Sequence, residues 1–173
     1  AFEVCQWNLN VTSSPALGGS VTRSPASGPY VHGTEVTLTV TPNAGYTFHQ
    51  WSGADAGDLT PGIPSNEYSI VMDSNKTLVA EFKLIEYTIV ASAGANGSIS
   101  PAGNVTVNHG ASQIFAFTPS AGYEVDVVTV DGSQVATASS YTSLSVAAGH
   151  TIHVTFKLKT YTSGASAGSN GTI

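Results

Sequence analysis

The sequence predicts an all-β chain: two tandem small β-sheet modules, of β-sandwich or β-grasp-like build, with little or no helix. Three observations carry this. One unit of about 75 residues occurs twice in succession. Short runs alternate apolar residues with Ser and Thr at a period of two. Gly- and Pro-containing turns cut these runs before any helix-length stretch of period 3.6 develops.

Taken in chain order, Phe2-x-Val4 followed by Trp7-x-Leu9-x-Val11 opens the sequence. The pattern returns as Phe82-x-Leu84 with Tyr87-x-Ile89-x-Ala91, and again as Phe156-x-Leu158 with Tyr161. Gly19-Ser20-Val21 recurs as Gly97-Ser98-Ile99 and as Gly171-Thr172-Ile173. The segment from His32-Gly33 to Ala44-Gly45-Tyr46 aligns without gaps on His109-Gly110 to Ala121-Gly122-Tyr123. Its strand, Thr34 to Thr41, sets Val36, Leu38 and Val40 against Thr37, Thr39 and Thr41. Asp131-Gly132 reads as a hairpin turn, because both residues accept positive φ. Ile70 to Phe82 then aligns without gaps on Leu144 to Phe156. The first copy holds three more residues than the second between these blocks, which marks a longer loop.

These matches divide the chain into a tail strand of a preceding repeat (1–7), a first module (8–85), a second module (86–159) and the opening strand of a third repeat (160–173). Tyr46, Phe48 and Trp51 are expected as the largest core side chains of the first module. Phe115, Phe117, Tyr123, Val125 and Val128 are expected in the core of the second.

Only 9% of the residues are charged, against roughly 25% in an average soluble domain. With 41% hydrophobic residues the chain is one that folds. Five Lys and Arg, no basic cluster and a net charge of −6 exclude a phosphate-backbone partner, so no nucleic acid is expected. No run of 18 apolar residues suggests membrane insertion. Low charge with abundant Ser, Thr and turn residues is the composition of secreted and surface β-proteins. Cys5 stands alone and builds no disulfide framework. It reads as a small buried hydrophobe, or else as a thiol that pairs with another chain.

The frame of Gly-Ser-Val and Ser-Pro (19–25), Gly-Thr-x-Val-Thr-Leu-Thr-x-Thr-Pro (33–42) and Ala-Gly-Tyr-x-Phe-x-x-Trp-Ser-Gly (44–53) continues with Met-Asp-x-Asn-Lys-Thr (72–77) and Ala-x-Phe (80–82). Together these resemble the divergent internalin-type B-repeat of bacterial and archaeal surface proteins. The second copy resembles a variant with Gly-Tyr-x-Val (122–125), Val-x-Val-Asp-Gly (128–132) and His-Thr-Ile (150–152). The resemblance implies a β-rich module strung along secreted or surface-anchored proteins as a spacer, stalk or adhesion element. It implies no catalytic residue. Val128 stands where the first copy has Trp51, so a ligand platform built on Trp51 is not duplicated.

Chemistry-bearing motifs are sparse. There is no Ser-x-x-Lys, so no catalytic residue is expected and the chain is read as a non-enzyme. His32 and His109 precede a Gly in both copies and read as turn residues that bond the backbone locally. His150 and His153 fall on opposite faces of a strand, a poor arrangement for two ligands to one metal. Asp55 and Asp58, in the Gly-rich loop 52–58, offer oxygen ligands to calcium, which takes six to eight. The loop lacks a third acid, so a solvated turn is the plainer reading and no cofactor is expected. Tyr30, Trp51 and Tyr68 are the candidate ligand-binding aromatics, suited to stacking on a pyranose ring if exposed. Asn10, Asn75, Asn96, Asn104 and Asn170 head Asn-x-Ser/Thr sequons open to glycosylation outside the cell.

The expected function is therefore a non-enzymatic extracellular or cell-surface repeat. Its expected partners are neighbouring repeats or identical subunits, with surface polysaccharide as a further candidate. Terminal strands with incomplete pairing edges suggest head-to-tail filaments by strand complementation. The competing reading is a carbohydrate-binding module of a secreted enzyme or adhesin.

Overall fold

The computed structural model describes residues 4–162 and 164. The chain separates into two compact units, 1–86 and 87–173. The first contains β1 (Gln6–Trp7), β2 (Leu9–Ser14), β3 (Gly19–Ser24), β4 (Tyr30–Val31), β5 (Thr34–Pro42), β6 (Tyr46–Ser52), β7 (Thr60–Pro61), β8 (Glu67–Met72) and β9 (Lys76–Leu84). The second contains β10 (Glu86–Ala93), β11 (Gly97–Ser100), β12 (Gly103–Asn108), β13 (Gln113–Pro119), β14 (Tyr123–Val130), β15 (Ser133–Val135), β16 (Ser140–Ser143) and β17 (His150–Leu158). Two 3-10 turns, Ala16–Gly18 and Ala56–Asp58, are the helical residues among those described. The strand expected over 160–173 falls almost wholly outside the described residues, as do Phe2 and Asn170.

Each unit is a sandwich of two sheets. In the first, β2-β9-β6 faces β3-β5-β8-β7. In the second, β12-β10-β17-β14-β15 faces β11-β13-β16. The period-two alternation sends Val36, Leu38 and Val40 of β5 inward, where Leu9, Ile70, Met72, Leu78, Ala80 and Phe82 meet them from both sheets. The second core joins Ile89, Ala91, Phe115, Phe117, Val128, Ile152 and Val154 in the same way. Each fully buried aliphatic side chain contributes about 1.5–3 kcal/mol relative to exposure. This layering is a sandwich rather than a β-grasp, because a second sheet covers the first.

The strand that opens each unit lies parallel to the strand that closes it. Leu9 to Ser14 run beside Lys76 to Glu81, and Ile89 to Ala93 beside His150 to Val154. Each sandwich is thus closed by its own first and last strands. The recurrent Gly-Ser-Val/Ile has a packing cause. A Cβ on Gly19 would stand 2.5 Å from the Phe82 ring, and one on Gly97 would collide with Phe156. The two aromatics that end the repeat need that empty space.

Three features differ from the expectation. Tyr46, Phe48 and Trp51 are partly buried and flank the core, while the fully buried large side chains of the first unit are Leu38, Ile70, Met72 and Leu78. In the second unit Phe115, Phe117 and Val128 are buried, but Tyr123 and Val125 are only half so. The gapless match of Ile70 to Leu144 also fails at its first pair. Val36 faces Ile70, whereas its counterpart Gln113 faces Ser143. Gly33 donates to the Met72 carbonyl and Gly110 to that of Val146, so one extra residue sits between Ser143 and Val146. Ser145 accommodates it at φ +48°, and Leu144 is left 72% exposed where Ile70 is 1% exposed.

The three additional residues of the first copy change a connection. In the second unit Asp131 and Gly132, at φ +49° and +77°, turn β14 directly into β15 on the same sheet. The longer segment after β6 instead crosses to the opposite sheet, where Thr60–Pro61 pairs with Ser69 and Tyr68.

Candidate functional site

The first unit gathers its charged chemistry around Lys76. A cleft of about 380 Å³ is lined by Glu35, Asp58, Thr60, Ser69, Val71, Asp73 and Lys76. Lys76 begins β9, and its side chain is only 6% exposed. Its Nζ lies 2.7 Å from Asp58 Oδ2 and 2.7 Å from Asp73 Oδ1. These two carboxylates hold the ammonium well above the usual lysine range, Asp58 first and Asp73 second. Lys76 in turn, with help from Ser74, lowers Asp73 below the usual carboxylate range. A nitrogen so firmly protonated serves as a cationic clamp and not as a nucleophile or base at neutral pH. It ties the loop after β6 to the start of β9.

Asp55 and Asp58, the expected calcium ligands, are both engaged within the chain. Asp55 Oδ2 accepts from the Thr77 backbone N–H at 2.7 Å, extending the β9 ladder into the loop. Asp58 faces Lys76. Among the described residues no group of three His, Cys, Asp or Glu is placed to hold a metal ion.

Of the three candidate ligand aromatics, the structure brings two together. Trp51 and Tyr68 meet edge to face, centroids 5.6 Å apart at 79°, and Phe48 packs against both at 5.7 and 5.8 Å. That geometry spends ring faces on ring edges and presents no coplanar pair. Trp51 Nε1 is buried without a hydrogen-bond partner among the described residues. Tyr30 stands apart in the core, 4% exposed, its hydroxyl donating to the Pro25 carbonyl. Pyranose stacking needs an accessible ring face, which burial denies to Tyr30.

The sequon residues Asn10, Asn75, Asn96 and Asn104 are all exposed. Asn75 Oδ1 also accepts from the Asn8 backbone N–H at 2.8 Å, and Asn96 sits in a turn at φ +69°. Cys5 is exposed, contrary to the buried hydrophobe expected, because it lies before the first paired residue of β1. His109 also departs from the expected local turn bond. Its ring packs against Tyr87 at 6.0 Å, with Nδ1 buried and unpartnered among the described residues. His150 and His153 separate as the strand period requires: one bonds Asp131 and the other Ser92 Oγ.

The sequence marks Asp131 only as a turn former, yet its carboxylate staples the hairpin. It accepts from the Thr151 backbone N–H at 2.8 Å and from His150 Nδ1 at 2.7 Å. Both bonds lower its pKa, that from Thr151 the more. Lys76 is a second functional residue that sequence reasoning misses. Its signal is the Met-Asp-x-Asn-Lys-Thr segment, which places a lone cation at a strand start in a chain with few cations.

The fold and these clusters define a class, tandem β-sandwich repeats whose polar groups brace their own loops. The chain belongs to the divergent InlB B-repeat domain family, whose model matches residues 9–86 and 87–160. The family is a repeat domain of bacterial surface proteins. No curated protein and no solved structure matches the chain. Among the described residues no helix is long and apolar enough to cross a membrane.

Proposed function

We propose that the chain is a non-enzymatic spacer, stalk or adhesion element of a secreted or cell-surface protein. The supporting observation is the duplication itself. Two tandem copies each carry a separate core and the same closing strand pair, while the loops between corresponding strands differ. What recurs is what holds each module together: Gly19 and Gly97 under Phe82 and Phe156, and Gly33 and Gly110 in the turns before β5 and β13. The polar clusters fit the same reading, since Lys76 and Asp131 are engaged by partners within the chain. Repeats of this kind hold other parts of a protein at a distance and add stability unit by unit.

The test is surface accessibility on intact cells of the source organism. Antibodies raised against the folded chain should label unpermeabilised cells, or detect the chain in the culture medium, and added protease should remove the surface signal. Labelling only after permeabilisation would overturn the proposal. Saccharide binding on a glycan array, abolished by Trp51→Ala in a correctly folded variant, would favour the carbohydrate-binding alternative.

A further inference from the structure

Among the described residues, no strand covers one sheet edge of the first unit whose counterpart in the second unit is covered. In the second unit β12 lies beside β10 and screens the outer side of that opening strand. The corresponding stretch of the first unit, residues 26–31, contains Pro29, which has no N–H to donate. Only β4 survives there, pairing Tyr30 and Val31 with Trp7 and Gln6. Beyond Trp7, β2 has β9 on one side and, among the described residues, no strand on the other.

The parallel ladder determines which groups face outward. Lys76 N–H donates to the Asn8 carbonyl at 2.9 Å, so Asn8, Asn10 and Thr12 turn their backbone groups toward β9. Leu9, Val11 and Ser13 turn theirs away. The Leu9 carbonyl agrees with this assignment, since it accepts from Arg23 Nη1 at 2.8 Å instead of from β9. Among the described residues no side chain hydrogen-bonds the backbone of Val11 or Ser13, as Arg23 does that of Leu9.

Other edges of this unit carry protective devices. β6 is bulged between Phe48 and Gln50, and β7 is two residues long and ends in Pro61. Six-residue β2, Leu-Asn-Val-Thr-Ser-Ser, has no charge, no proline and no register shift against β9. Its sequence also matches the strand that covers the equivalent edge of the second unit: β12 carries Asn104-Val105-Thr106, and β2 carries Asn10-Val11-Thr12. A strand of β2's own composition is thus already a working cover for this kind of edge, and in an antiparallel pair the Arg23 guanidinium that each copy holds at Leu9 lies at the opposite end of the ladder from its counterpart.

We infer that two copies of this chain associate edge to edge, β2 antiparallel to β2, about a two-fold axis at Val11. In that register Val11 exchanges two N–H to carbonyl bonds with the partner's Val11. Leu9 pairs with the partner's Ser13, and exposed Asn10 stands beside the partner's Thr12. The dimer is closed and goes beyond the spacer reading, on which it does not depend.

Sedimentation velocity of the full chain, from low to high micromolar concentration, tests this. Wild type should pass from one chain mass to two. Val11→Pro removes an N–H that makes no bond among the described residues, and Thr12→Lys sets two like charges diagonally across the axis, each beside the partner's Asn10. Both variants should keep the wild-type circular dichroism and weaken association by about tenfold or more. If Val11→Pro fails to fold, Thr12→Lys alone decides. A wild type that stays at one chain mass would overturn the inference. So would a dimer unaffected by Thr12→Lys, or a mass that climbs past two chains.

Discussion

The ring of Phe82 occupies the space that a side chain on Gly19 would need, and Phe156 stands in the same relation to Gly97. The final aromatic of each repeat and a glycine about sixty residues earlier are therefore one packing unit. Gly19→Ala should destabilise the first unit by about 1–3 kcal/mol through overpacking. Phe82→Ala should cost about 3–5 kcal/mol. In the double variant the two costs should fall short of additive, because truncation at position 82 removes the ring from the room that the new methyl group at position 19 requires and leaves only the Thr41 carbonyl against it. Urea unfolding of the four proteins measures this, and strict additivity would refute the pairing.

Lys76 joins the loop after β6 to β9 through two exposed carboxylates. Lys76→Met keeps the apolar stem but leaves Asp58 and Asp73 facing each other across the cleft. It should lower the melting temperature of the first unit by several degrees, on the order of 5 °C. Asp73→Asn should cost less, since Asp58 still holds the ammonium. An unchanged melting temperature for Lys76→Met would show the clamp to be ornamental.

Acid should weaken both units by the same linkage. Asp73 is lowered chiefly by Lys76, Glu81 by Ser52 and Gln50, and Asp131 by the Thr151 N–H and His150. A carboxylate whose folded pKa is depressed contributes stability that is fully present above its unfolded value, about pH 4, and is lost as pH falls through the folded value. Lys76 is raised, so its contribution is complete below about pH 10 and declines only as pH climbs through the raised value. Melting temperature should accordingly stay nearly flat between these limits and fall below about pH 4. Asp131→Asn should shallow that acid limb for the second unit alone.

Trp7 and Trp51 both lie in the first unit, which lets tryptophan fluorescence follow that unit while circular dichroism follows both. Trp51→Phe preserves an aromatic edge against Phe48 and Tyr68 and forfeits no hydrogen bond, since Nε1 has none among the described residues. It should cost less than about 1.5 kcal/mol, against about 2–4 kcal/mol for Trp51→Ala. Denaturant titration of both variants, read by circular dichroism, distinguishes these values. A large loss for Trp51→Phe would mean that the indole makes contacts beyond ring packing.

The strands and their duplication are legible in the sequence because alternation at period two is strong at Val36-Leu38-Val40 and Ile152-Val154-Phe156, and because Asp131-Gly132 names its own turn. Less can be read where geometry depends on distant partners. The extra residue at Ser145 carries no signal, since no glycine marks its positive φ. Three added residues announce a longer loop but not the sheet it joins. Among the candidate site residues, the meeting of Trp51 with Tyr68 is invisible in the sequence, because β6 and β8 belong to different sheets. Asp55 and Asp58 are found by their acidity, yet their partners Thr77 and Lys76 come from a strand about twenty residues further on.

The parallel closure of each unit has a mechanical meaning. β2 enters its sandwich at Leu9 and β9 leaves it at Leu84, at opposite ends of the shared ladder. Tension applied through the chain therefore pulls these two neighbours lengthwise past each other, and every hydrogen bond between Leu9 and Glu81 resists together. An antiparallel closure would let the same tension open bonds one at a time, like a zip. β10 and β17 repeat the arrangement, so a chain of such units yields in discrete, all-or-none steps under shear.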